Sequence, residues 1–348
     1  MRRVLTAPAR YLRRAAHRLA GASVALLYHR VADLASDPWA LAVSPRNFEE
    51  HLDVLARHGR GLLARDLVKA MDDGRVPAAS VVVTFDDGYA DLDSTVRPLL
   101  ERSGVPATMF IVSDAVGARC EFWWDVLDRI FLSGEPLPSR LRLTIGRTSH
   151  EWSLDAGDSA AEASSESRDW RAWRRPPTRR HAVYLELWKV MHEADLSARR
   201  DAEASLLGWA GLDPEARRTH RTLDAGELCD LAGSALIELG SHTISHSALA
   251  ALPRAAQRCE IALGRRRLRV ATGAAIRTFA YPFGRAEDYS ATTVELVRRG
   301  GFAAGFVNEA GVVSARTDRY RIPRAFVADG DGDSLGRLLW RVAGIRTG

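Results

Sequence analysis

The sequence predicts an α/β fold, βα units around a mostly parallel sheet or barrel with a largely helical insertion. Three observations carry this. Short apolar, β-branched runs alternate with helical patterns near both ends of the chain, as they do where helices join parallel strands. Between about residues 118 and 222 the alternation stops, and polar, arginine-rich and helical stretches replace it. A chain of 348 residues, 46% of them hydrophobic, can hold one large α/β domain with such an insertion.

Residues 1–22 read as a basic amphipathic helix, with Tyr11, Leu12, Ala15, Ala16 and Leu19 on one face and arginines on the other. That pattern suits the surface of an anionic membrane, and equally a solvated helix docked on its own domain. Arginines 10, 13, 14 and 18 interrupt the apolar region a secretory signal needs, so a cytoplasmic location is the expectation, with or without peripheral membrane association. Predicted strands follow at 24–29 (VALLYH), 80–87 (SVVVTFDD), 107–112 (ATMFIV), 235–242 (ALIELGSH), 276–283 (IRTFAYPF) and 301–307 (GFAAGFV). Ser44 as cap, Pro45 at the first helical position and Gly59 as stop define a helix between the first two. STVRPLLERSG and LPRAAQRCEIALGRRRLRVATG read as further helices, and LRLTIGRTSHEWSL as a hairpin inside the insertion. The expected organisation is the N-terminal helix (1–22), a first half-domain (23–117), the insertion (118–222) and a second half-domain (223–348).

Composition narrows the function classes. The net charge of +5 is nearly all arginine, with lysine only at Lys69 and Lys189 and no basic motif, so nucleic acid is not an expected partner. Cys120, Cys229 and Cys259 are too far apart for a metal knuckle and read as reduced, mostly buried thiols. No apolar run reaches transmembrane length.

The chemistry lies where apolar runs end. VVVTF stops at Asp86, Asp87 and a glycine, which is either a turn and helix cap or a pair of functional carboxylates. ALIELG stops at SHTISH, in which His242 and His246 can reach one ion if the segment turns just after a strand. Parallel α/β folds gather strand C-termini in one crevice, so the two ends would meet. One carboxylate and two imidazoles make a three-ligand site with open positions, and a second carboxylate beside it can take a proton from bound water.

TFDDGY with SHTISH resembles the first two motifs of the polysaccharide deacetylase family, the NodB-homology domains of carbohydrate esterase family four. The resemblance covers roughly 24–117 and 235–328 and implies an irregular (β/α)-barrel of the NodB-homology type. It implies Asp86 as general base, Asp87, His242 and His246 as ligands of a divalent metal, usually Zn2+, and removal of N-acetyl groups from amino sugars. The third motif departs from the family, since FAYPFG puts Ala280 at the arginine position. Arg277 and Arg324 are then candidate partners of Asp86, and the Phe283 N–H a candidate oxyanion donor. No histidine follows His246, and a branch of the family with rearranged motifs is similar in placing its acid histidine in an early Tyr-His stretch, here His29. Tyr89, Tyr281, Pro282 and Trp124 are the candidate substrate contacts, with Asp125 and Asp128 on a helix surface. Arginines 171, 174, 175, 179 and 180 read as a solvated loop or a phosphate site, and histidines 51, 58, 150, 181, 192 and 220 show no metal spacing. The expected activity is metal-dependent removal of an N-acetyl or other short N-acyl group from an amino sugar in a polysaccharide, glycolipid or activated-sugar precursor. The alternatives are a carbohydrate-binding protein of the same fold with impaired catalysis, and a non-haem iron oxygenase, which the order of the ligands disfavours.

Overall fold

The computed structural model describes residues 23–118, 120–154 and 169–346, so the proposed N-terminal helix lies outside the described residues. Seven parallel strands follow one another around a closed barrel in chain order: β1 (Ser23–Tyr28), β2 (Ser80–Phe85), β3 (Ala107–Ile111), β4 (Ile237–Ser241), β5 (Thr278–Ala280), β6 (Ala304–Val307) and β7 (Ile322–Phe326), which pairs back to β1. A two-residue strand, Gly61–Leu62, adds to the outside of β2.

Alternation along the strands separates two layers. Val24, Leu26, Val81 and Val83 face outward into the main core, between barrel and helices, whereas Ala25, Val82, Phe110, Ala280, Ala304 and Phe306 fill the interior. Both faces are covered, which is why β1 and β2 are buried at every position and read as continuous apolar runs. Helix α1 (Pro45–His58) is bounded as its sequence requires: the Ser44 side chain accepts from the Asn47 N–H, and Gly59 closes the helix at a φ of 66°.

Three expectations change, two about strands and one about the cysteines. β7 escaped the pattern because Pro323 and Arg324 interrupt its apolar run; Arg324 points into the barrel, where its charge is matched. β5 covers only part of the predicted 276–283, because the chain turns at Tyr281 to Phe283. Cys229 and Cys259 are exposed and Cys120 half-buried, so the thiols are not mostly buried.

The insertion has its own apolar cluster. The antiparallel hairpin of Arg140–Ile145 with Thr148–Ser153 packs with helices α2 (Trp123–Phe131), α3 (Arg179–Glu193) and α4 (Leu196–Ala210). Asp125 and Asp128 are buried on α2 rather than at its surface. Arg179 and Arg180 begin α3 instead of lying in a loop, and Arg180 donates to the Glu135 carbonyl. No described helix is long and apolar enough to cross a membrane.

Burial of Asp125 gives a pH test. Burial pushes its carboxyl up to about 8, against the pull of Arg30 and the Tyr89 hydrogen bond. The folded chain therefore holds a proton that the unfolded chain gives up near pH 4. That stabilisation is complete below about pH 4 and is lost as pH rises towards 8. Urea midpoints should accordingly fall between pH 5 and 8, and Asp125→Asn should flatten the slope; an unchanged slope would count against this assignment.

Candidate active site

The strand registers set the site. Tyr28 pairs with Phe85, so His29 and Asp86 leave the barrel rim side by side. Ile111 pairs with Ser241, and Ser241 with Phe279, which puts His242 and the turn after β5 on the same rim. At this rim Asp87, Thr243, His246 and Phe283 have φ of 76°, 69°, 55° and 59°, a left-handed backbone that non-glycine residues adopt at a cost of about 1–3 kcal/mol each.

Helix α5 (Arg254–Thr272) supports the loop between the two histidines. Glu260 accepts the N–H groups of Ile244 and Ser245 at 2.9 and 3.0 Å and the Ser245 hydroxyl at 2.8 Å. The approach is close at Gly264, where a Cβ would meet the Thr243 carbonyl oxygen at 2.7 Å. Gly264→Ala should therefore cost about 1–3 kcal/mol through overpacking and weaken metal retention, read from urea midpoints and bound metal after dialysis.

Asp87, His242 and His246 bring one donor atom each to within 4.8 Å of one another, all buried. Asp87 Oδ1 lies 3.2 Å from His246 Nε2 and 3.5 Å from His242 Nε2, and no hydrogen bond satisfies it. His242 Nδ1–H donates to the Ala280 carbonyl at 2.8 Å, which leaves its Nε2 a lone pair aimed at the carboxylate. Burial lowers His242 to about 4 and His246 to about 3, so both imidazoles are neutral at pH 7. Acceptors converging on acceptors are what a cation site requires, and this donor set fits a divalent metal.

Asp86 is held differently. Arg324 grips it through two hydrogen bonds, Nη1 to Oδ1 at 2.6 Å and Nη2 to Oδ2 at 2.7 Å. Burial raises its carboxyl, but Arg324 and His242 outweigh this and hold it at about 2. Asp87 has no such fork, and burial raises it. Burial also lowers His29, against the pull of Asp87 and Asp86, and leaves its Nδ1 without a partner. Of the two candidate arginines, the structure pairs Arg324 with Asp86, while Arg277 is exposed at the start of β5, the opposite barrel end.

A cavity of about 660 Å³ opens onto these groups, lined by His29, Asp86, Asp87, His242, His246, Trp124 and Phe283. No acceptor engages the Phe283 N–H among the described residues. Three expected substrate contacts are elsewhere. Tyr89 is buried beneath Trp124, accepting from its Nε1–H at 2.8 Å and donating to Asp125 at 2.7 Å; it positions Trp124, which lies 4.8 Å from the His246 ring. Tyr281 turns away from the cavity, packs on Phe279 and Tyr289, and donates to the Tyr320 carbonyl at 2.9 Å. Pro282 is buried in the turn and does not line the cavity. Sequence reasoning missed Trp39, Trp173, Trp188, His192 and Asp288, which also line the cavity, together with the polar Glu193, Arg285, Glu287 and Asn308. The available signal was Trp188 and His192, four apart on one helix face.

A closed parallel barrel with a carboxylate–imidazole cluster at its C-terminal rim defines the class, a (β/α)-barrel of the NodB-homology type with a candidate metal centre. The polysaccharide deacetylase family model matches residues 73–139 and 224–305, leaving most of the insertion unmatched. The Bacillus subtilis protein YxkH, named as a polysaccharide deacetylase, is 31% identical over 96 residues, 27% of this chain and 33% of that protein. The match thus spans about a third of this relative. Among solved structures, the Streptococcus pyogenes deacetylase PplD in complex with acetate superposes with a TM-score of 0.57 at 14% identity, covering 92% of this chain and 99% of that one. IcaB from Ammonifex degensii gives 0.54 at 18% identity, over 92% and 97%. Over those matched residues the chain is similar to the polysaccharide deacetylase family, and the solved structures share its fold.

Proposed function

We propose that the chain is a metal-dependent hydrolase that removes an N-acetyl or other short N-acyl group from an amino sugar. The observation that carries this is the arginine-held Asp86 beside the Asp87–His242–His246 cluster, two adjacent carboxylates with opposite environments. Paired environments of that kind separate a proton acceptor from a ligand. Asp87, His242 and His246 would hold a divalent cation, zinc by the resemblance, which would supply Lewis acidity to water and to the amide carbonyl.

The chain's own residues do the rest. Asp86, ionised throughout the neutral range, accepts the proton of the attacking water. The Phe283 N–H, which no acceptor engages among the described residues, is the donor available to the oxygen that gains charge as the carbonyl becomes tetrahedral. His29, lowered by burial and level with Asp86 across the β1–β2 register, takes the proton that Asp86 removed from the water and delivers it to the leaving amine, which returns Asp86 to its ionised form. Trp124 and Phe283 present apolar faces to the sugar ring.

The test is acetate release by the full chain, with zinc or after chelation, from N-acetylglucosamine oligomers, nucleotide sugars and polyprenyl-linked sugars. Chelation should lower release by at least about 100-fold and zinc should restore it, in line with metal-centred catalysis. Bound zinc without release from any substrate would favour the binding-protein alternative.

A further inference from the structure

Helix α3 of the insertion brings Trp188 and His192 to the cavity wall. His192 Nε2 lies 3.0 Å from Oδ1 of Asp288, which is 2% exposed on the loop after β5. Asp288 is itself fixed, for its Oδ2 accepts the Arg285 N–H at 3.0 Å and its carbonyl accepts the Ala250 N–H at 2.9 Å. A carboxylate at Nε2 keeps the proton on that nitrogen. Nδ1 then remains as the second polar atom of the ring, and no hydrogen bond engages it among the described residues.

The surroundings show what Nδ1 would meet. The imidazole stacks on Trp188 at 4.9 Å and meets the Phe283 ring at 4.3 Å, and Phe283 in turn lies 4.6 Å from His246. A single aromatic ring therefore separates His192 from the cluster. The walls offer apolar faces to the C–H face of a pyranose, and His192 offers one oriented polar atom. An entirely apolar ligand would bury that nitrogen unmatched, at a cost.

We propose that His192, held by Asp288, is a specificity-determining residue, whose Nδ1 accepts a hydrogen bond from a hydroxyl of the sugar whose amide faces Asp86. The insertion, not the barrel, then selects the sugar. This rests on the deacetylase reading, and its test separates the two.

The zinc-loaded full chain is titrated, by tryptophan fluorescence, with the N-acetylglucosamine disaccharide and each of its monodeoxy analogues, and KM and kcat are measured by acetate release. Wild type should bind one analogue about tenfold more weakly than the parent, as loss of one hydrogen bond requires. His192→Phe, which keeps the stack on Trp188, should bind parent and analogue alike at the weaker level, with KM rising more than kcat falls. Asp288→Asn, whose single amide oxygen can accept from Nε2–H or from the Arg285 N–H but not both, should lose part of the discrimination, while the urea midpoint of His192→Phe reports that its fold is intact. Acetate release with equal binding of all analogues, or discrimination that survives in His192→Phe, overturns this proposal alone. Neither binding nor release by wild type overturns it together with the deacetylase reading.

Discussion

Arg324→Met should be the most damaging substitution to stability, at about 3–5 kcal/mol, because it strands a buried carboxylate rather than trimming a surface pair. Arg324 is 1% exposed and makes both hydrogen bonds that hold Asp86, with a further one to Thr84. The sign follows from the shift. Asp86 sits at about 2 in the fold, below the ordinary value of about 4 for an unfolded chain. The pair's contribution is therefore present above about pH 4 and lost as pH falls from there to 2. Urea unfolding at pH 7 should show the full deficit, and unfolding near pH 3 a smaller one. Turnover should fall as well, since without the guanidinium burial raises the Asp86 carboxyl. Arg324→Lys should restore the two only in part, because an ammonium cannot match a two-pronged grip. Equal stability of wild type and Arg324→Met at pH 7 would sink the argument.

Asp87→Asn should give the opposite pattern. Acetate release should fall by about a thousandfold or more, as expected when a metal ligand essential to the chemistry is lost, and zinc retained after dialysis should drop with it. The metal-free variant should nonetheless be at least as stable as metal-free wild type. Burial raises the Asp87 carboxyl, which means the fold carries its charge at a loss until a cation is present. Elemental analysis and urea midpoints of both metal-free proteins decide this, and undiminished acetate release would remove Asp87 from the site. Together the two variants separate a residue that supports the fold from one that the fold supports.

Much of this was legible in the sequence. Runs buried on both faces marked six of the seven barrel strands, and acidic and imidazole residues at their ends marked the cluster. Arg324 could be named but not chosen over Arg277, because the choice depends on which strand closes the barrel against β1. Tyr89 and Tyr281 misled because a motif position carries no information about which way a side chain turns. Both hydroxyls serve neighbours within the fold. His192 was hidden for a different reason. Its partner Asp288 is 96 residues away, and only the packing of the insertion onto the barrel rim brings them together.

The left-handed backbones at Asp87, Thr243, His246 and Phe283 bear on how the chain could be engineered. Glycine would relax each of them locally, so a screen for thermal stability alone is expected to enrich substitutions at the site itself. Glycine at Asp87 or His246 would remove a donor of the candidate metal site, and at Phe283 would open the wall between the cluster and His192. Selection for robustness and selection for turnover would therefore pull on the same positions in opposite directions. Stabilising changes compatible with activity should instead be sought on the outer helices.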